Sequence, residues 1–290
     1  MQSLFALFFV VGWLLAGATP LNAVIKILDT KTITNLDIHE LSALAYREGR
    51  LYALSDKGIL HHLSLDLSHN KIEQLKLLHS YKLRNKKGKR LKKKKRDAEG
   101  MALYKKGLLI SFEGASRVAY FSLDGILQKK MPLHPDLQNK DAYRGSNKGL
   151  EALAYSKKYG ILTAPEMPLI TSSFGGHTIY ALTRRWRFNA EGSLTELYSV
   201  DASHVIVLLR EFSFFSQRRV TTLLQLDLDS CAEEHICQPK LIAKLDSDKE
   251  VELDNYEGLC GVGSGRYLMV SDDNDSIFQK TLLVLFEIVL

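Results

Sequence analysis

One short pattern returns along the chain and limits what it can fold into. Glu40 opens ELSALAY, followed by LYALSD. Glu99 opens EGMALY, followed by LLISFE. Glu151 opens EALAY, followed by ILTAPE. Glu257 opens EGLCGVG, followed by YLMVSDD. Each copy reads glutamate, apolar strand, turn, second apolar strand, acid. The second acids are Asp56, Glu113, Glu166 and Asp272, which fall 16, 14, 15 and 15 residues after the first. A strand–turn–strand unit cannot bury its apolar face alone, so the copies must stack or close into a ring.

The copy at Glu99 is the clearest. MALY and LLISFE are strands joined at Lys105-Lys106-Gly107. Gly114-Ala115-Ser116 turns into RVAYFSL, and Asp124-Gly125 turns into ILQKKMPL. An Asp-Gly pair between alternating apolar runs is a strong hairpin signal. Four antiparallel strands in about 40 residues make one propeller blade. Between Gly192 and Asp229 the pattern blurs. SLTELYSV reads either as the start of a blade, with Ser193 in the glutamate position, or as the outer strand of the blade before it. The last copy ends on TLLVLFEIVL without a fourth strand, and AVIKILDTKTI near the start is free to supply it. The expected fold is therefore all-β: a propeller of five or six four-stranded blades, closed by pairing of the N-terminal strand with the C-terminal blade, which leaves no exposed sheet edge.

At 290 residues and 46% hydrophobic the chain can build a large core. Residues 1–23 hold an uncharged apolar run, Leu4 to Ala18, with Leu21-Asn22-Ala23 as a cleavage point. They read as a secretory signal peptide, with an uncleaved anchor as the alternative. The expectation is an exported protein, periplasmic or secreted, with residues 24–290 as one propeller domain. Cys231 and Cys237 bracket a polar loop and are spaced to close a disulfide in an oxidising compartment. Cys260 lies in an apolar strand and reads as core.

The net charge of +6 is concentrated. Residues 82–96, KLRNKKGKRLKKKKR, hold 11 Lys or Arg and no acid, so the rest of the chain sums to −5. This basic loop insertion reads first as a solvated run and second as a contact for an anionic surface. It has no aromatic residues to stack bases, so specific nucleic-acid binding is not expected. The chain is expected to act as a monomer on a small anionic or ester substrate.

In a propeller the innermost strands line the central channel. Glu40, Glu99, Glu151 and Glu257 precede those strands and would ring one mouth. Carboxylates so close need compensation. A divalent cation such as Ca2+ supplies it with oxygen ligands, and these four are the candidate metal ligands. The alternative is that each acid caps backbone N–H groups of its own turn. Asp56, Glu113, Glu166 and Asp272, at the ends of the second strands, are the candidate catalytic acids. Asp272-Asp273-Asn274-Asp275 is the densest run of oxygen ligands, although it lacks the glycine and distal glutamate of a calcium loop. Lys57, Arg117 and Arg144 lie near these acids in sequence and are the candidate phosphate holders. No Gly-x-Ser-x-Gly elbow or His-Glu-x-x-His motif is present, so a Ser-His-Asp hydrolase is not supported and metal-assisted hydrolysis is the better expectation.

The combination DAEGMAL…LLISFEGASR, NKGLEALAY…LTAPE, VIVLLREFS…RRVTTLLQLDL and NYEGLCGVGSGRYLMVSDDND resembles the esterase-like or phytase-like β-propeller family of secreted bacterial proteins. LSDKG at 54–58 is similar to that family's first-blade turn. The resemblance implies hydrolysis of a phosphoester or carboxyl ester. It assigns no catalytic role to a particular residue. A non-catalytic ligand-binding or scaffold propeller is the other expectation, because propellers host many functions.

Overall fold

The computed structural model describes residues 24–34, 37–145, 148–231, 235–248, 253–274 and 279–289. The segment 1–23, read as a signal peptide, lies outside them, as does Asp275.

The chain forms five blades. Strand β1 (Val24–Thr32) comes first. Blade one is β2 (Leu41–Arg47), β3 (Arg50–Ser55), β4 (Ile59–Ser68) and β5 (Lys71–Lys82). Blade two is β6 (Ala98–Tyr104), β7 (Gly107–Phe112), β8 (Arg117–Ser122) and β9 (Leu127–Lys130). Blade three is β10 (Leu150–Ser156), β11 (Gly160–Pro165), β12 (His177–Tyr180) and β13 (Arg185–Phe188). Blade four is β14 (Ser193–Ser199), β15 (His204–Phe212), β16 (Arg219–Asp227) and β18 (Lys240–Asp246). Between β16 and β18, the short β17 (Ile236–Cys237) crosses over and adds to the outer edge of blade three. Blade five is β19 (Asn255–Gly263), β20 (Arg266–Asp272) and β21 (Leu282–Val289), completed by β1, which pairs antiparallel with β21 from Val24↔Val289 to Thr32↔Leu282.

Five blades, not six, follow from the core. Five apolar clusters sit one at each blade–blade contact. The fifth joins Leu41, Leu44 and Leu51 of blade one to Leu268, Leu283 and Leu285 of blade five, so the ring has no gap. Each blade is apolar on both faces, and each face is buried only by a neighbour. The ambiguous SLTELYSV is the inner strand β14 of blade four.

Cys231 and Cys237 are bonded, with Cα atoms 5.3 Å apart. The bond holds the crossing segment beside Phe188, which is fully buried. Closing so short a loop is worth about 2 kcal/mol. Cys231→Ser with Cys237→Ser is therefore expected to lower the urea-unfolding free energy by that amount. A loss below about 0.5 kcal/mol, the scale of a neutral surface substitution, would show that β17 holds without the bond.

Candidate active site

Every inner strand enters the channel through a β-bulge. The pairing of inner with second strand skips Ser42 in blade one, Glu99-Gly100 in blade two, Glu151 in blade three, Thr195 in blade four and Glu257 in blade five. A bulge leaves one residue unpaired and re-aims its side chain. Three glutamates and two hydroxyls are thus turned alike at one mouth. The strands converge closely there: a Cβ on Gly100 would stand 2.6 Å from the Glu151 carbonyl oxygen. That approach explains the small residue after each glutamate.

Glu40 does not share this phase. It lies two residues before the bulge of its blade, with φ 52°. Its carboxylate pairs with Lys57 and approaches His39 Nδ1 at 3.1 Å, and its N–H donates to Asp273 Oδ1 at 3.1 Å. In blade four the bulge holds Thr195 rather than Ser193.

The second acids also have a register. Asp56, Glu113, Glu166 and Asp272 each follow the partner of the residue just before the bulge. In blade four that position is Arg210. One arginine therefore takes the place of a fifth acid, and it holds the acids on either side. Its guanidinium pairs with Glu257, donates to Asn255 Oδ1, and lies 3.9 Å from Glu166. Asn255 Nδ2 donates to Glu257 at 2.8 Å. Lys148 Nζ lies 2.5 Å from the other Glu166 oxygen.

The two sets of acids interlock. Oxygens of Asp97, Glu99 and Glu113 lie within 4.8 Å of one another, as do those of Glu113, Glu151 and Glu166. Glu113 belongs to both groups. Among the described residues no hydrogen-bond donor reaches the Glu99 or Glu151 carboxylate, and both residues are buried. Burial pushes the Glu99 and Glu151 carboxyls well above the usual range, and the neighbouring acids add to it. Burial, then Asp97, carries Glu113 up to about 7. Burial, then Glu257, carries Asp272 up to about 8; burial, then Glu40, carries Asp56 up to about 6. Glu257 is raised by burial, although Arg210 opposes it. For Arg210, burial works to lower the pKa, but Glu257, Glu151 and Glu166 hold it above the usual value.

The expected phosphate holders are differently placed. Lys57 is paired with Glu40. Arg117 stacks on Phe112, 3.7 Å from the ring centre, and donates to the carbonyls of Ala115 and Lys95; burial lowers it to about 10. Arg144 is exposed and donates Nε–H to the Pro168 carbonyl. Arg210 and Lys148, which are not among the expected phosphate holders, are the cations against the acids. The run at 272–274 braces the protein around it. Asp272 accepts the Asn274 N–H, and Asp273 accepts from Glu40 N–H and Thr281 Oγ1.

Glu196 was also missed. It follows the bulge of blade four and is fully buried. One carboxyl oxygen accepts the N–H groups of Leu153 (3.0 Å) and Leu197 (2.9 Å), which ties β14 to β10. Burial raises its pKa well above the usual range. Beyond it the channel becomes apolar, in a 190 Å3 cavity to which all five inner strands contribute. At the acidic mouth a 610 Å3 cleft lies between blades four and five. Glu166, Arg210, Phe212, Gln217, Arg219 and Asn255 are among its walls.

The family described as "Phytase-like: Esterase-like activity of phytase" matches residues 37–275. The chain belongs to the phytase-like family. The match runs from the residues before β2 to just past β20 and so reaches all five blades, without β1 and β21. Among solved structures, the glutaminyl cyclase of Myxococcus xanthus is similar at 14% identity, over 94% of this chain and 100% of that one, with a TM-score of 0.50. At that identity the likeness concerns the fold alone. A hypothetical protein from Leishmania major follows at 9% identity, over 90% and 92%, with a TM-score of 0.49, and carries no argument. No curated protein matches the sequence. Among the described residues no helix is long and apolar enough to cross a membrane.

Proposed function

We propose that this phytase-like propeller is an exported hydrolase of a phosphoester or related ester, assisted by a divalent cation at the acidic mouth. The observation that carries the reading is Glu113, shared by two groups of three carboxylates, with Arg210 and Lys148 against Glu166 of the second group. The donors are all oxygen, which suits a hard cation such as Ca2+ rather than zinc or copper. Two buried carboxylates without donors among the described residues are groups that such an ion would satisfy. The ion would be held by Glu113, Glu151 and Glu166, with Asp97 and Glu99 alongside. It would supply charge to polarise the ester oxygen and lower the pKa of bound water.

The chain's own residues do the rest. Lys148 and Arg210 face the site and hold the anionic group of the substrate, Arg210 through its planar fork. Asp272, held near pH 8 by its surroundings, carries a proton at neutral pH and serves as the general acid. The cleft between blades four and five takes the remainder of the substrate. Turnover of generic phosphomonoesters and carboxyl esters, with Ca2+ and with chelator, tests the reading. Chelator-sensitive turnover supports it. Cation binding with no turnover on any ester would make the chain a ligand-binding propeller.

The raised pKa values give a second check. A carboxyl whose folded pKa exceeds its unfolded pKa is held neutral in the fold. Its contribution is fully present below the unfolded value and is lost as pH rises through the folded one. For Asp56, Glu113 and Asp272 that window runs from about 4 to about 8. Without added metal the melting temperature is expected to fall by a few degrees between pH 5 and pH 8, about 2–4 °C for each kcal/mol lost. Ca2+ should restore it, and more strongly at pH 8. A Ca2+ response larger at pH 5 would contradict a site built from these carboxyls.

A further inference from the structure

The hairpin between β15 and β16 displays three phenylalanines to solvent. Phe212 is 54% exposed, Phe214 76% and Phe215 100%. A polar tip would serve a turn between two strands, so packing gives no reason for them. The tip is nevertheless built. Ser213 N–H donates to the Arg218 carbonyl at 2.9 Å, and Gln217, at φ 55°, donates its side-chain amide to the Phe214 carbonyl at 2.7 Å. Below them the Arg218 fork closes on both oxygens of Asp246, at 2.9 and 2.6 Å. The braces fix the loop in a form that holds Phe214 and Phe215 outward.

The face is the acidic one. Ser193, where β14 begins, pairs with Arg210 just before the hairpin, so the tip rises beside the channel mouth. Ile170, 58% exposed, lies in the loop after β11 on the same face. Across the mouth the basic run returns the chain to β6. Ala98 N–H donates to the Asp56 carbonyl, Arg117 holds the Lys95 carbonyl, and Lys92, Lys93 and Lys95 are exposed. An aromatic tip on one side and cations on the other match the two layers of an anionic lipid bilayer, whose acyl boundary takes phenylalanine and whose phosphates take lysine.

We propose that this face docks on an anionic lipid bilayer, with Phe214 and Phe215 inserted and the 92–96 segment on the headgroups. Phe212, Gln217 and Arg219 also wall the 610 Å3 cleft, so docking brings the cleft to the headgroup plane. The inference stands without the hydrolase reading.

The test is sedimentation of the full chain with vesicles of phosphatidylcholine alone and of phosphatidylcholine mixed with phosphatidylglycerol. Binding is expected to the mixed vesicles and to weaken as salt rises from about 0.1 to about 0.5 M. Phe214→Ser with Phe215→Ser should weaken it about tenfold or more with an unchanged melting temperature. Lys92→Gln with Lys93→Gln and Lys95→Gln should remove most of the salt dependence. Three results would overturn the proposal: no sedimentation with mixed vesicles; binding to heparin but not to vesicles, which would make the run a polyanion site; or gel filtration showing a dimer that the Phe→Ser changes dissolve, which would make the tip a contact between copies.

Discussion

Glu113→Gln is expected to lower ester turnover by about a hundredfold or more, the scale seen when charge at a reacting centre is lost, and to abolish the rise in melting temperature with Ca2+. The reason is position. Glu113 is the one acid common to both carboxylate groups, so its loss leaves neither complete. The amide keeps the shape and removes the charge. It also removes a charge from a crowded, buried site, so the metal-free variant should be at least as stable as wild type at pH 8. A capping role predicts the opposite: about 1 kcal/mol of lost stability with function intact. Glu40→Gln is the control. Its carboxylate is matched by Lys57 away from the groups, so the Ca2+ response should persist. Calorimetric titration with Ca2+ and kcat on the best ester decide the matter. Loss of the response in Glu40→Gln and its survival in Glu113→Gln would move the site to blade one.

What the sequence carried, and what it hid, can be traced to single residues. Closure was legible because the last repeat lacks an outer strand and AVIKILDTKTI has no other partner. The blade count was not, because β17 leaves blade four for the edge of blade three and β18 returns later. The channel-mouth acids were legible as a repeat, but their phase was set by bulges, which sequence spacing does not mark. Aligning SALAY of blade one on EALAY of blade three would have put Ser42, not Glu40, in the bulge. Arg210 stands at the end of the apolar run VIVLL beside Glu211; only the β14–β15 register shows that the arginine itself fills the acid position. Glu196 gave no signal, since its partners Leu153 and Leu197 lie on two blades. Phe214 and Phe215 lie between two apolar runs, and their exposure is a property of the fold.

Arg210→Met should be the most destabilising single change at the mouth, and the cost should depend on pH. The arginine is the cation between Glu257 and Glu166, and Glu257 has no other charged partner among the described residues. Removing one member of a buried pair leaves an uncompensated charge and costs about 3–5 kcal/mol. Glu257 can escape that cost by taking a proton. Its folded pKa is already raised by burial, and losing Arg210 raises it further. The escape is therefore free below the unfolded pKa of about 4.3 and is withdrawn as pH climbs through the folded value. The variant should lie close to wild type at pH 5 and be several kcal/mol weaker at pH 8, with Ca2+ recovering part of the difference as a substitute charge. Arg210→Lys keeps the charge but not the fork that spans Asn255, Glu257 and Glu166, so it should fall between the two. Urea unfolding at both pH values measures this directly. An equal loss at pH 5 and pH 8 would mean that Arg210 acts through packing, and that the acids of the mouth are not held by its charge.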